Sequence, residues 1–84
     1  MILRNHGLLV GGRTIAEAFS NIYYLERACQ AQVACGNAEL VIPPEEVCLH
    51  TAAQFNREGS LAHTEMAWQS ALRMIEGSRS DWRA

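Results

Sequence analysis

Apolar residues open the chain in two short runs, Ile2-Leu3 and Leu8-Leu9-Val10, separated by the polar knot Arg4-Asn5-His6-Gly7. Such runs suit a pleat buried on at least one face, and a glycine among them marks a bulge or a close backbone approach. Residues 2–10 therefore read as one strand segment, interrupted or sharply bent at Asn5-His6-Gly7. The chain opens on this strand with no upstream partner, a lone pair of short strands is not stable in water, and unpaired edges invite association. Its partners are expected from another chain, or from sequence that these residues do not include.

From residue 14 the apolar spacing changes to three and four. Ile15, Ala18, Phe19, Ile22, Ala28 or Cys29, and Val33 make one stripe, which predicts a helix to about residue 35. Thr14-Ile15-Ala16-Glu17 reads as a capping box, in which the Thr14 hydroxyl accepts the Glu17 amide and the Glu17 carboxylate returns to the Thr14 amide. Gly36-Asn37 ends the helix. After a connector over 38–42, Pro43-Pro44-Glu45-Glu46 opens a second helix over about 44–56, thin in apolar residues. Ser60 is placed to cap a third, with Leu61, Trp68, Leu72 and Ile75 on one face and Gly77 at its close. Residues 78–84 are expected as a flexible tail. The pattern is that of an α+β, mostly helical fragment: one N-terminal strand segment bent at residues 5–7, then three helices.

Composition narrows the function classes. Eighty-four residues are one small unit at most, and a single core of this size is marginal. With 49% hydrophobic and 19% charged residues the chain is globular, and a formal charge of -2 leaves no footprint for nucleic acid or an anionic membrane surface. All seven basic residues are arginine, so these residues supply neither a Schiff-base lysine nor a phosphate-loop lysine. Cys29, Cys35 and Cys48 are odd in number and lack Cys-x-x-Cys spacing, which reads as small buried hydrophobes in a reducing cytoplasm. No apolar run approaches the length of a membrane span.

Candidate chemistry is sparse. His6, His50 and His63 are far apart in sequence, with no metal-ligand spacing between them. His50 and His63 read as surface or packing residues. For His6, spacing alone favours a structural role, a ring hydrogen-bonded across a turn. Of the adjacent Tyr23 and Tyr24, one is expected in the core and the other at an interface. Ser20, Ser60 and Ser70 stand in no nucleophile elbow, and Gly7, Gly11 and Gly12 form no phosphate loop. The residues by themselves mark no catalytic group and no cofactor-binding loop.

A resemblance changes the reading. Leu3-Arg4-Asn5-His6-Gly7-Leu8-Leu9-Val10-Gly11, followed by Thr14-Ile15-Ala16-Glu17-Ala18-Phe19 and Tyr24-Leu25-Glu26-Arg27-Ala28-Cys29-Gln30, resembles the C-terminal part of the class II aldolase/adducin family. The likeness is strong over residues 2–33 and weaker to the end. It implies an α/β/α fold, of which residues 1–84 supply a late strand and the closing helices. It also implies that His6 is one of three histidine ligands to a divalent metal, usually zinc. A His-x-His pair and an acid/base glutamate upstream complete that site in the family. The implied reaction is retro-aldol cleavage of a small sugar or sugar phosphate by a homo-oligomer, a tetramer in the family. The 84 residues alone, lacking those partners, are expected to be inactive, either a truncated product or a gene remnant. Adducin-like members keep the fold without a working site, so an oligomerisation or interaction module is the alternative.

Overall fold

The two opening runs fold back on one another. β1 (Ile2–Leu3) and β2 (Gly7–Leu8) pair antiparallel, with Ile2 opposite Leu8 and Leu3 opposite Gly7. The bend is thus a complete reversal, and the paired strands are only two residues long. Asn5 permits it by adopting φ 56, a left-handed conformation that asparagine tolerates better than most residues. The His6 N–H donates to the Leu3 carbonyl across the turn at 3.3 Å. Gly7 leaves the turn at φ 125, where any side chain would be strained. The computed structural model describes residues 1–57 and 60–78.

Three helices follow: α1 (Ile15–Cys35), α2 (Glu45–Phe55) and α3 (Ser60–Glu76). Thr14 caps α1 as its sequence suggests, its hydroxyl accepting the Glu17 N–H at 3.0 Å. The other half of the capping box differs. The Glu17 carboxylate accepts the backbone N–H of Arg13 and the Arg13 guanidinium, with Nη2 at 2.7 Å, rather than turning to Thr14. An arginine one position further out offers a charged donor, and that outcompetes a neutral amide. Gly36 ends α1 at φ 53, its N–H on the Val33 carbonyl. Pro44 precedes α2, with Glu45 and Glu46 in its first turn against the exposed N–H groups. Ser60 is the first helical residue of α3 and not its cap; its hydroxyl donates to the Arg57 carbonyl at 2.6 Å. From residue 79 the expected tail lies outside the described residues.

α1 packs on α3 and on β2. The deepest positions on α1 are the small residues Ala16 and Ser20, one turn apart, and Ser20 lies beside Ala67 and Ala71 of α3. Phe19 meets Trp68 across this contact at 5.2 Å between ring centres. The expected apolar stripe is therefore covered only in part. Ala18, Phe19 and Ile22 are half-buried, while Ile15 and Val33 stand 74% and 81% exposed. α3 covers the middle of the stripe, and among the described residues nothing covers its ends. Cys35 and Cys48 are likewise exposed rather than buried, and Cys29 is half-buried. No described helix is long and apolar enough to cross a membrane.

The chain exposes 7421 Å². A folded monomer of 9.3 kDa exposes about 5000 Å². Its radius of gyration is 16.0 Å, against about 12 Å for a closed domain of this length. Much apolar surface is left in water.

Arg13 holds the Glu17 carboxyl below the usual carboxylate range, first through the side-chain hydrogen bond and then through the backbone N–H. The folded value is the lower one, so this contribution to stability is present above the ordinary carboxylate pKa. It is lost as pH falls through the folded value. Melts followed by circular dichroism should place wild type above Glu17→Gln at neutral pH, with the gap closing as the carboxylate titrates. A gap that stays constant across that range would show that the charge contributes nothing.

Candidate functional site

Among the described residues, the hairpin tip is the place where sequence and backbone geometry together single out a reactive side chain. His6 sits at the end of a reversal closed by its own backbone N–H, between Asn5 at positive φ and Gly7. Its ring is exposed, and no described side chain hydrogen-bonds it. The structural role suggested by spacing, a ring bonded across the turn, is taken by the backbone instead. The hairpin stem is closed at its open end by two bonds between Met1 and Leu9: the terminal amine to the Leu9 carbonyl at 2.8 Å, and the Leu9 N–H to the Met1 carbonyl at 2.9 Å.

Two contacts fix this hairpin on α1. The Asn21 side-chain amide donates to the Gly11 carbonyl at 3.0 Å, tying the exit of β2 to the second turn of the helix. Gly12 packs its Cα against the helix start so tightly that a Cβ there would lie 2.5 Å from the Ala18 nitrogen. Gly11, its neighbour, has open space at the same position. Of the two adjacent glycines, only Gly12 is a steric requirement, a difference set by where Ala18 lies in space.

The remaining candidates do not join His6. Every residue of α2 is exposed, His50 included. His63 lies in a shallow groove with Phe55, Arg57 and Thr64. Among the described residues no group of three or more histidine, cysteine, aspartate or glutamate side chains converges on a point that could hold a metal. One imidazole does not fit a zinc centre, which takes at least three protein ligands. Tyr23 and Tyr24 are both exposed, contrary to the expectation of one core ring. They meet edge to face at 5.5 Å; Tyr24 also meets Phe55 at 5.2 Å, and the Arg27 guanidinium lies 5.1 Å above Tyr23.

Comparison with known proteins bears on the hairpin directly. Residues 1–33 match the profile of the Class II Aldolase and Adducin N-terminal domain. The chain belongs to the class II aldolase and adducin family. A protein of Pseudomonas aeruginosa named "Putative aldolase class 2 protein" is 33% identical over 88 residues, covering 99% of this chain and 34% of its own length. One of the same name from Caulobacter vibrioides is 33% identical, covering 90% of this chain and 30% of itself. Human beta-adducin is 48% identical over 33 residues, 39% of this chain and 4% of its own. The chain thus spans about a third of the length of the bacterial relatives it matches. No solved structure matches it.

The seating of the hairpin can be tested by two adjacent substitutions. Gly12→Ala should destabilise the chain by about 1–3 kcal/mol, as forced overpacking does. Gly11→Ala should stay within about 0.5 kcal/mol of wild type. Urea titrations followed by circular dichroism would compare them, and equal effects would remove the close approach from the argument.

Proposed function

We propose that these residues are the part of a class II aldolase-like domain that presents one histidine ligand, His6, to a divalent metal, zinc by the family's habit. The observation that carries this reading is the exposed ring of His6 on a turn made rigid by backbone bonds and positive φ, inside the span that matches the family. A ligand must be held in place before the metal arrives, and a two-residue-strand hairpin clamped to a helix does that without using the ring. The other two histidines, the acid/base glutamate and the groups that choose a small sugar or sugar phosphate belong to polypeptide outside residues 1–84. When bound, the metal would polarise the substrate carbonyl and the enediolate oxygens, which suits a segment with no lysine. The assembled protein would be a cytoplasmic homo-oligomer.

The likeness to beta-adducin supports a second reading, an interaction module without metal. A chimera separates the two. The chain replaces the matching third of the Pseudomonas relative, and metal content is measured after exhaustive dialysis. The first reading expects about one zinc per subunit, held by three protein ligands, with loss of that zinc in His6→Ala. A folded chimera that keeps its zinc without His6 sinks the ligand assignment. One that never holds metal favours the module.

The chain by itself should show no retro-aldol turnover of a sugar phosphate with added zinc or cobalt. Cleavage above a metal-only control would contradict the division of the site between this segment and another.

A further inference from the structure

A cleft of about 320 Å³ lies between α1 and α3, beside the contact of Phe19 with Trp68. None of its lining residues belongs to the hairpin. An engineered cavity of about 150 Å³ holds benzene, so this one has room for a ring with a substituent at each end. On α1, Ser20, Tyr23, Tyr24 and Arg27 recur at three- and four-residue steps and fall on one face. The first three line the cleft, with Ala67, Ala71 and Met74 of α3. Two phenol rings and a flexible thioether are suited to take an aromatic guest between them.

Two polar groups set the chemistry. Ser20 is only 6% exposed, and among the described residues no hydrogen bond reaches its hydroxyl. No described side-chain oxygen is sealed away without a partner. The Ser20 oxygen therefore opens into the cleft that the residue lines. Ser70, the other serine in the lining, is satisfied: it donates to the Met66 carbonyl and accepts from Arg73 Nη2, both at 2.9 Å. The second group is Arg27. Its guanidinium leans back one turn to lie 5.1 Å above the Tyr23 ring. Its side-chain partner is the Gln30 amide oxygen at 3.2 Å, and no described carboxylate pairs with it. Glu26, its neighbour in sequence, is turned about 100° away round the helix.

We infer that this cleft binds a small aromatic acid that carries a second polar group at the far end of its ring. The ring lies among Tyr23, Tyr24 and Met74, the carboxylate pairs with Arg27, and the ring hydroxyl takes the hydrogen bond that Ser20 leaves free. The spacing suits such a molecule. Ser20 and Arg27 are seven residues apart, about 10 Å along the axis, and the backward lean of Arg27 shortens that span. A cationic guest would meet the Arg27 charge on the Tyr23 ring. A wholly apolar one would leave the Ser20 hydroxyl buried without a partner. This inference is independent of any metal at His6.

The test titrates the whole chain with para-hydroxyphenylacetate by isothermal calorimetry, with circular dichroism on each variant. Wild type should bind one molecule saturably. Arg27→Gln should weaken para-hydroxyphenylacetate and phenylacetate alike, about tenfold, since both carry the carboxylate. Ser20→Ala should weaken para-hydroxyphenylacetate about fivefold and leave phenylacetate unchanged, a difference that damage to the fold would not give. Ala67→Phe, at an exposed position on the rim, should abolish binding of both by filling the cleft. Wild type without saturable binding would overturn the proposal and leave the cleft as a seat for polypeptide. So would Arg27→Gln or Ala67→Phe binding as wild type does, or Ser20→Ala weakening both acids equally.

Discussion

The arrangement depends on one backbone-to-backbone contact, Gly12 against the start of α1 at Ala18. A hairpin with two-residue strands has too few bonds to hold its own direction in water. What gives it a direction is the helix behind it. Gly12 allows the chain to pass within contact of the first turn, the Asn21 amide fastens Gly11 beside it, and the Arg13–Glu17 pair occupies the next residue along. Each of these lies after the reversal and before the middle of α1, so the helix that packs on α3 also aims His6. Displacing that contact would leave the turn intact and point it elsewhere.

The rest of the chain shows how little core stands behind this. Ala16 and Ser20, both small, are the most buried of the described residues. Around them lie two separate apolar surfaces. One is formed by the hairpin with the N-terminal half of α1, where Leu8, Val10, Ile15 and Phe19 line a shallow groove with Trp68. The other is α2 and the connector before it. The first lies where β2 meets α1. The second lies on an arm joined to the remainder chiefly by Phe55 on Tyr24. A chain this open gains little from any single interior contact, so its stability depends on what covers these surfaces.

The helices were legible because their signals are local. Thr14, Gly36 and Pro44 each act within one turn, and all three mark the ends that the structure shows. Burial was legible only in outline, since a 3.6-residue stripe says which face is apolar and not how much of it a neighbour reaches. Ile15 and Val33 belong to the stripe yet lie beyond the reach of α3. The sequence predicts a bend at Asn5-His6-Gly7 where the chain makes a full reversal, because the choice between a kinked strand and a hairpin rests on the sign of φ at Asn5. Asparagine adopts either. His6 was picked out by its neighbours in the motif; no spacing among the three histidines would have done so, and the fold does not bring them together. The role of Gly12 was invisible, since it depends on where Ala18 lies in space.

The build of the hairpin gives a physical reason why the proposed metal-ligand and interaction-module readings can share one fold. The tip around His6 is built from groups other than its ring: the His6 N–H, the Leu3 carbonyl, the left-handed Asn5 and the glycine after it. The imidazole contributes nothing to the turn that holds it. A lineage that lost the metal would therefore pay no structural penalty for keeping or changing that side chain, whereas losing Gly7 or Gly12 would strain the backbone in either case. Under the proposed reading of His6, the ligands that would meet it from outside the hairpin, and not the hairpin itself, separate the two uses.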